Sequence, residues 1–165
     1  MRPTITIDPG FGGTGWAFWP DLDFDMVPEA TGVCRTKAAD AGLHWGTRAF
    51  IISEQIAEVL RDVGALAPKP GAFYLELPQV FSGSAVSHAA ATKGDLFTLA
   101  ALCGILAREA WGFGWTPVFM SPVEWKGQLN KKALGLRIAR VITDRIYRNH
   151  EADAVGMGLY LAGRL

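Results

Sequence analysis

The chain opens on Thr4-Ile5-Thr6-Ile7, an alternating β-branched run that ends on an acid and a turn, Asp8-Pro9-Gly10. Successive side chains of a strand point to opposite faces, and β-branched residues suit a pleated, half-buried surface, so the run predicts a strand with one face in a core. A carboxylate closing such a strand is expensive to bury unless it is paired or holds a cation. The alternative is that Asp8 is a turn residue before Pro9-Gly10. Gly10, Gly12, Gly13 and Gly15 lead into Trp16-Ala17-Phe18-Trp19, which predicts a glycine-rich turn and a second, hairpin-linked strand.

A third strand is predicted around Gly32 to Thr36. Between His44 and Val63, the residues Phe50, Ile51, Ile56, Val59, Leu60 and Val63 keep roughly helical spacing, and Pro68, Pro70 and Gly71 close that segment. Phe73 to Leu77 is a short apolar run with Glu76 inside it, the pattern of a buried strand carrying a carboxylate. Asp95 to Trp111 reads as a helix and Thr116 to Met120 as a strand. Ser121-Pro122-Val123-Glu124 fits a capping box with proline at the first helical position. The segment Ala133 to Arg148 sets Leu136, Ile138, Val141, Ile142 and Ile146 against basic residues, predicting an amphipathic helix. A last helix, from about Glu151, carries Val155, Met157, Leu159, Tyr160 and Leu161. Three strands followed by alternating helices and strands predict an α/β fold, a mixed sheet with helices packed on it. The 165 residues fit a single domain over 1–165, and no internal repeat or linker divides them.

A hydrophobic content of 50% and a mean hydropathy of +0.17 exclude a disordered chain. Cys34 and Cys103 have no Cys or His partner at metal-ligand spacing, which argues against zinc and for reduced, buried thiols. With no signal peptide and no long apolar stretch, no membrane role is expected and the cytoplasm is the simplest compartment. The formal net charge is zero, which is awkward for a nucleic-acid-binding protein, but the charge is segregated. Lys126, Lys131, Lys132, Arg137, Arg140, Arg145 and Arg148 stand against only Glu124 and Asp144, while Asp21, Asp23, Asp25 and Glu29 cluster near the N-terminus. That pattern fits one basic face meeting phosphates, or a solvated amphipathic helix.

If the strands of Asp8 and Glu76 are neighbours, the two acids converge. His150 and Asp153, three apart, share a helical face and could join them. Clustered carboxylates repel one another and are held ionised by hard cations such as Mg²⁺. Two such ions can activate an attacking water and stabilise the leaving oxygen of a phosphodiester. His150 could ligate, orient the water or act as acid and base.

Taken in order, Ile5-Thr6-Ile7-Asp8-Pro9-Gly10 with Gly13-Thr14-Gly15, Leu75-Glu76 leading to Gln79-Val80-Phe81, and His150-x-x-Asp153-Ala154 resemble the RuvC family of Holliday-junction resolvases. Ser121-Pro122-x-Glu124-Trp125-Lys126-Gly127-Gln128-Leu129 is similar to the version carried by bacteriophages. The resemblance implies a ribonuclease-H-like mixed sheet, three antiparallel strands then parallel ones, flanked by helices. It implies a homodimeric endonuclease of DNA recombination and repair that makes paired nicks in branched DNA, chiefly four-way junctions. It also implies two Mg²⁺ ions, with Mn²⁺ as a substitute, held by Asp8, Glu76, His150 and Asp153; Glu151 is a weaker candidate for the same role. Gly12 and Gly13 would let the backbone approach the scissile phosphate, or serve only a tight hairpin. Phe81 would wedge at the junction centre or belong to the core. Lys126, Lys131 and Lys132 match positions that meet phosphates near the cut, with Lys126 or Lys132 also placed to neutralise the leaving group, and Arg137 continues that basic segment. Rival readings are a nuclease of the same fold acting on flaps, forks or RNA·DNA hybrids, a non-catalytic branched-DNA-binding protein, and a protein-interaction domain.

Overall fold

The computed structural model describes residues 2–22, 27–66, 71–79, 94–127, 129–147 and 149–165. Five strands form one sheet: β1 (Thr4–Asp8), β2 (Thr14–Trp19), β3 (Ala30–Cys34), β4 (Ala72–Glu76) and β5 (Thr116–Met120), in the order β3-β2-β1-β4-β5. β1 and β3 run antiparallel to β2, whereas β4 is parallel to both β1 and β5. The expected mixed sheet is therefore present, with β3 displaced slightly toward the N-terminus of its predicted span and Glu76 closing β4.

The helices are α1 (Trp45–Leu66), α2 (Asp95–Gly112), the short α3 (Pro122–Lys126), α4 (Lys131–Val141) and α5 (His150–Leu161). α1 buries Ala49, Ile52, Ser53, Ile56, Ala57, Leu60 and Val63, the three-and-four spacing of one helical face. With α2 it covers the sheet face that carries Ile5, Ile7, Phe18, Phe73 and Leu75. The opposite face holds Ala17, Trp19 and Met120 beneath α3, α4 and α5. The period-two rule then decides the site: Thr4, Thr6 and Asp8 lie on the α5 side of β1, and Tyr74 and Glu76 on the α5 side of β4. Thr6 donates its hydroxyl to the Ala154 carbonyl at 2.8 Å, tying sheet to helix. α5 can lie close because it is rich in small residues; a Cβ at Gly158 would sit 2.2 Å from the Trp19 ring.

The capping box forms as the sequence predicts: Ser121 caps α3, Pro122 opens it, and Glu124 accepts from the Ser121 N–H at 2.5 Å. α4, by contrast, is shorter than the predicted Ala133 to Arg148. It starts at Lys131 behind the Asn130 cap and stops at Val141, where Ile142 turns extended and is buried under α5. Ile142 stands four residues after Ile138 and eight after Leu134, on the face that the helix already buries, so its burial does not itself require the helix to end. The buried face of α4 is Leu134 and Ile138, while Leu136 is 56% exposed and Ile146, beyond the helix, is 81% exposed. Both cysteines are free and buried, and burial pushes each thiol up to about 12. Among the described residues no helix is long and apolar enough to cross a membrane.

Candidate active site

Asp8 and Glu76 end two neighbouring parallel strands whose register pairs Ile7 with Leu75, so their carboxylates emerge side by side at the carboxyl ends of the sheet. Open α/β sheets hold ligands at that end. The first turn of α5 supplies the other half of the cluster. His150 sets its Nδ1 2.5 Å from Asp8 Oδ2, and Asp153, buried, reaches Lys126 Nζ at 3.5 Å. The turn into that helix is unusual: Asn149 is the single non-glycine with positive φ among the described residues, at 50°. Strain of this kind persists only where surrounding structure imposes it.

Lys126, at the end of α3, is the group the carboxylates share. Its ammonium lies 3.2 Å from both oxygens of Glu76 as well as near Asp153. Trp125 donates its indole N–H to Glu76 Oε2 at 2.8 Å. Trp125 is thus a site residue that the sequence names only as part of the Ser121-to-Leu129 segment, with no role of its own; its place directly before Lys126 was the available signal.

The charges are strongly coupled. Burial, then the neighbouring Asp8 carboxylate, pushes Glu76 up to about 7 against the pull of Lys126 and Trp125. Burial and Asp8 likewise raise Asp153, with Lys126 and Lys131 opposing. Burial alone would lower Lys126, but Glu76 and Asp153 outweigh it and hold the ammonium above its ordinary value. The hydrogen bond to Asp8 raises His150 despite its partial burial.

Among the described residues no three His, Cys, Asp or Glu side chains are gathered tightly enough to hold an ion as they are placed. Lys126 and the His150–Asp8 hydrogen bond stand in the way. The donor set nonetheless suits a hard divalent cation: three carboxylates and one imidazole, drawn together so closely that one acid is pushed toward neutrality and a lysine is recruited as counter-charge.

The other candidates are distributed around this cluster. Glu151 faces away from it, accepting from Thr31 at 2.7 Å and from Arg145 at 3.0 Å, which fastens the start of α5 to β3. The Phe11 carbonyl of the glycine turn is held by Arg48 at 2.8 Å and Thr36 at 3.2 Å. Gly12 and Lys131 line an open groove of about 500 Å³ with Arg35, Asn149 and His150, as an approaching phosphate would need. Gly13, however, is packed: a Cβ there would sit 2.9 Å from Val33. Lys132 and Arg137 are exposed on α4. Phe81 lies outside the described residues.

No family model and no curated protein matches the sequence. Solved structures do. The structure of Thermus thermophilus RuvC is similar at a TM-score of 0.70 and 18% identity, covering 96% of this chain and 92% of that one. RuvC of the same organism in complex with a Holliday junction substrate is similar at a TM-score of 0.71 and 18% identity, covering 97% and 92%. Over nearly its whole length, this chain has the ribonuclease-H-like fold of RuvC.

Proposed function

We propose that this protein is a divalent-metal-dependent endonuclease that nicks branched DNA, chiefly four-way junctions, and does so as a homodimer whose two sites make paired cuts. The observation that carries the reading is the gathering of Asp8, Glu76, His150 and Asp153 at the carboxyl ends of β1 and β4, where Glu76 and Asp153 share the Lys126 ammonium and Asp8 meets His150. The similar RuvC structure bound to a Holliday junction supports the choice of substrate. Paired symmetric nicks require two sites related by a two-fold axis, which is the reason for proposing a dimer.

Asp8, Glu76, His150 and Asp153 would hold Mg²⁺ or Mn²⁺. Bound there, two such ions supply activation of the attacking water and stabilisation of the leaving oxygen. Lys126, released from Glu76 and Asp153, is placed to meet the phosphate and neutralise charge developing on it. Lys131, with Gly12 and Asn149, lines the open approach to the cluster.

Cutting a labelled synthetic four-way junction with and without Mg²⁺, beside linear duplex, a fork and an RNA·DNA hybrid, tests the reading. Paired, metal-dependent nicks on the junction are expected. Binding without cutting would reassign the protein to non-catalytic branched-DNA binding, and preference for a fork or hybrid would overturn the substrate.

The electrostatics add a prediction about pH. Glu76 and His150 both have folded-state values raised above those of the unfolded chain. The stability they contribute to the metal-free protein is present at low pH and lost as pH rises through their folded values, about 7 for Glu76. Cation binding requires both groups without their protons, so it strengthens over the same interval. Thermal melts with and without Mg²⁺ should show a small upward shift at pH 6 and a clearly larger one at pH 8. An equal shift at both would contradict the assignment of Glu76 and His150 as ligands.

A further inference from the structure

Two adjoining grooves of about 350 and 270 Å³ flank α4 and share Lys131, Lys132, Gly135 and Tyr147. The first runs on to Asn149 and Asp153, which places its mouth beside the carboxylate cluster. The second is bordered by Arg145 and Ile146. We propose that this paired groove is a subsite for one unpaired nucleobase of the strand next to the phosphate being cut, a proposal that rests on the nuclease reading above.

Gly135 is the first observation behind it. A glycine in the middle of an exposed helix costs about 1 kcal/mol relative to alanine. Gly15, Gly156 and Gly158 have a packing reason, whereas a Cβ at Gly135, like one at the helical Gly64 and Gly104, would meet nothing within 4 Å; what sets Gly135 apart is its place on the grooves beside the carboxylate cluster. No group of the described residues fills the space, and Gly135 lines both halves of the groove. The missing side chain leaves room for something outside the chain.

The lining says what that something is. Tyr147, half-buried, carries the Arg145 guanidinium 5.1 Å from its ring centre. Arg145 is itself anchored to Glu151 at 3.0 Å. A planar cation beside an aromatic ring is a surface on which nucleobases stack regardless of sequence. Leu136 and Ile146, 56% and 81% exposed, add apolar edges. Lys131 and Lys132 at the start of α4 supply charge for the backbone phosphates that a splayed base would bring with it. Bases at the centre of a branched junction are the easiest in the molecule to unstack.

The test uses the full chain and a four-way junction carrying 2-aminopurine at successive positions around the nick, in metal-free buffer. At one position next to the nick the emission should change on protein binding, and Gly135→Leu or Tyr147→Leu should abolish that change and weaken junction binding by about 10-fold, the scale of one stacked base. Gly135→Ala separates this from folding: it should raise the melting temperature by roughly 2–4 °C, and Gly135→Leu should melt no lower than the parent. A parent that nicks junctions with no emission change at any position would overturn the subsite alone, as would a Gly135→Leu protein that binds and responds like the parent. A parent that neither binds nor nicks branched DNA would overturn the nuclease reading and the subsite together.

Discussion

Asp8→Asn is expected to lower metal-dependent nicking of a four-way junction by on the order of 10³-fold while leaving junction binding intact, since even one lost charge-stabilising contact costs 10²–10³ in other active sites. Asp8 is buried at the end of β1 and in contact with His150, and its charge is felt by both Glu76 and Asp153. Asparagine has the same shape, so β1 and the hairpin should fold unchanged. What disappears is one oxygen anion from the set proposed to hold the cations. Two further consequences follow from the same substitution. Replacing the Asp8 carboxylate by a neutral amide takes away a repulsion that raises Glu76 and leaves His150 a neutral acceptor in place of an anionic one, so both should titrate lower than in the parent. Single-turnover cleavage with saturating protein measures the first effect, and an NMR titration of the His150 ring measures the second. A variant that nicks within 10-fold of the parent would remove Asp8 from the catalytic cluster.

How far the sequence carries this argument differs from element to element. Thr4-Ile5-Thr6-Ile7-Asp8 announces its strand and, through the period of two, the face on which Asp8 must lie. That needs no knowledge of the rest of the chain. Glu76 follows by the same rule once β4 is placed beside β1, but the pairing itself is a long-range event that local pattern cannot specify. The start of α3 was legible because a capping box is chemistry confined to four residues. The end of α4 was not: Leu134, Ile138 and Ile142 keep the spacing of one helical face, so the local pattern gives no sign that the backbone turns extended at Ile142. The role of Lys126 was half legible. Its basic neighbours suggested phosphate contact, whereas in the fold it first balances Glu76 and Asp153. Trp125 was invisible as a site residue because a tryptophan in an apolar setting has a sufficient explanation in packing, and its indole N–H finds Glu76 only across the assembled sheet.

The glycine turn gives the second large effect, and it separates two roles that the sequence alone merges. Gly15→Ala is expected to destabilise the protein by about 2–4 kcal/mol, at the upper end of overpacking costs. Gly15 sits on β2 opposite Asp8 and Val33. A Cβ there would lie 2.0 Å from the His150 carbonyl oxygen and 2.6 Å from the Glu151 nitrogen. These are backbone atoms of the first turn of α5, so no side-chain rotation relieves the overlap; the helix start must lift from the sheet. Lifting it carries His150 away from Asp8 and Asp153 away from Lys126, so the Mg²⁺-induced thermal shift should shrink along with the stability. Gly12→Ala is the matching control, because a Cβ at Gly12 meets nothing within 4 Å and its stability should stay within about 0.5 kcal/mol of the parent. Chemical denaturation of the two variants decides the matter. If Gly15→Ala were as stable as Gly12→Ala, the close seating of α5 on β2 would be wrong, and with it the geometry that brings His150 and Asp153 to the carboxylates of the sheet.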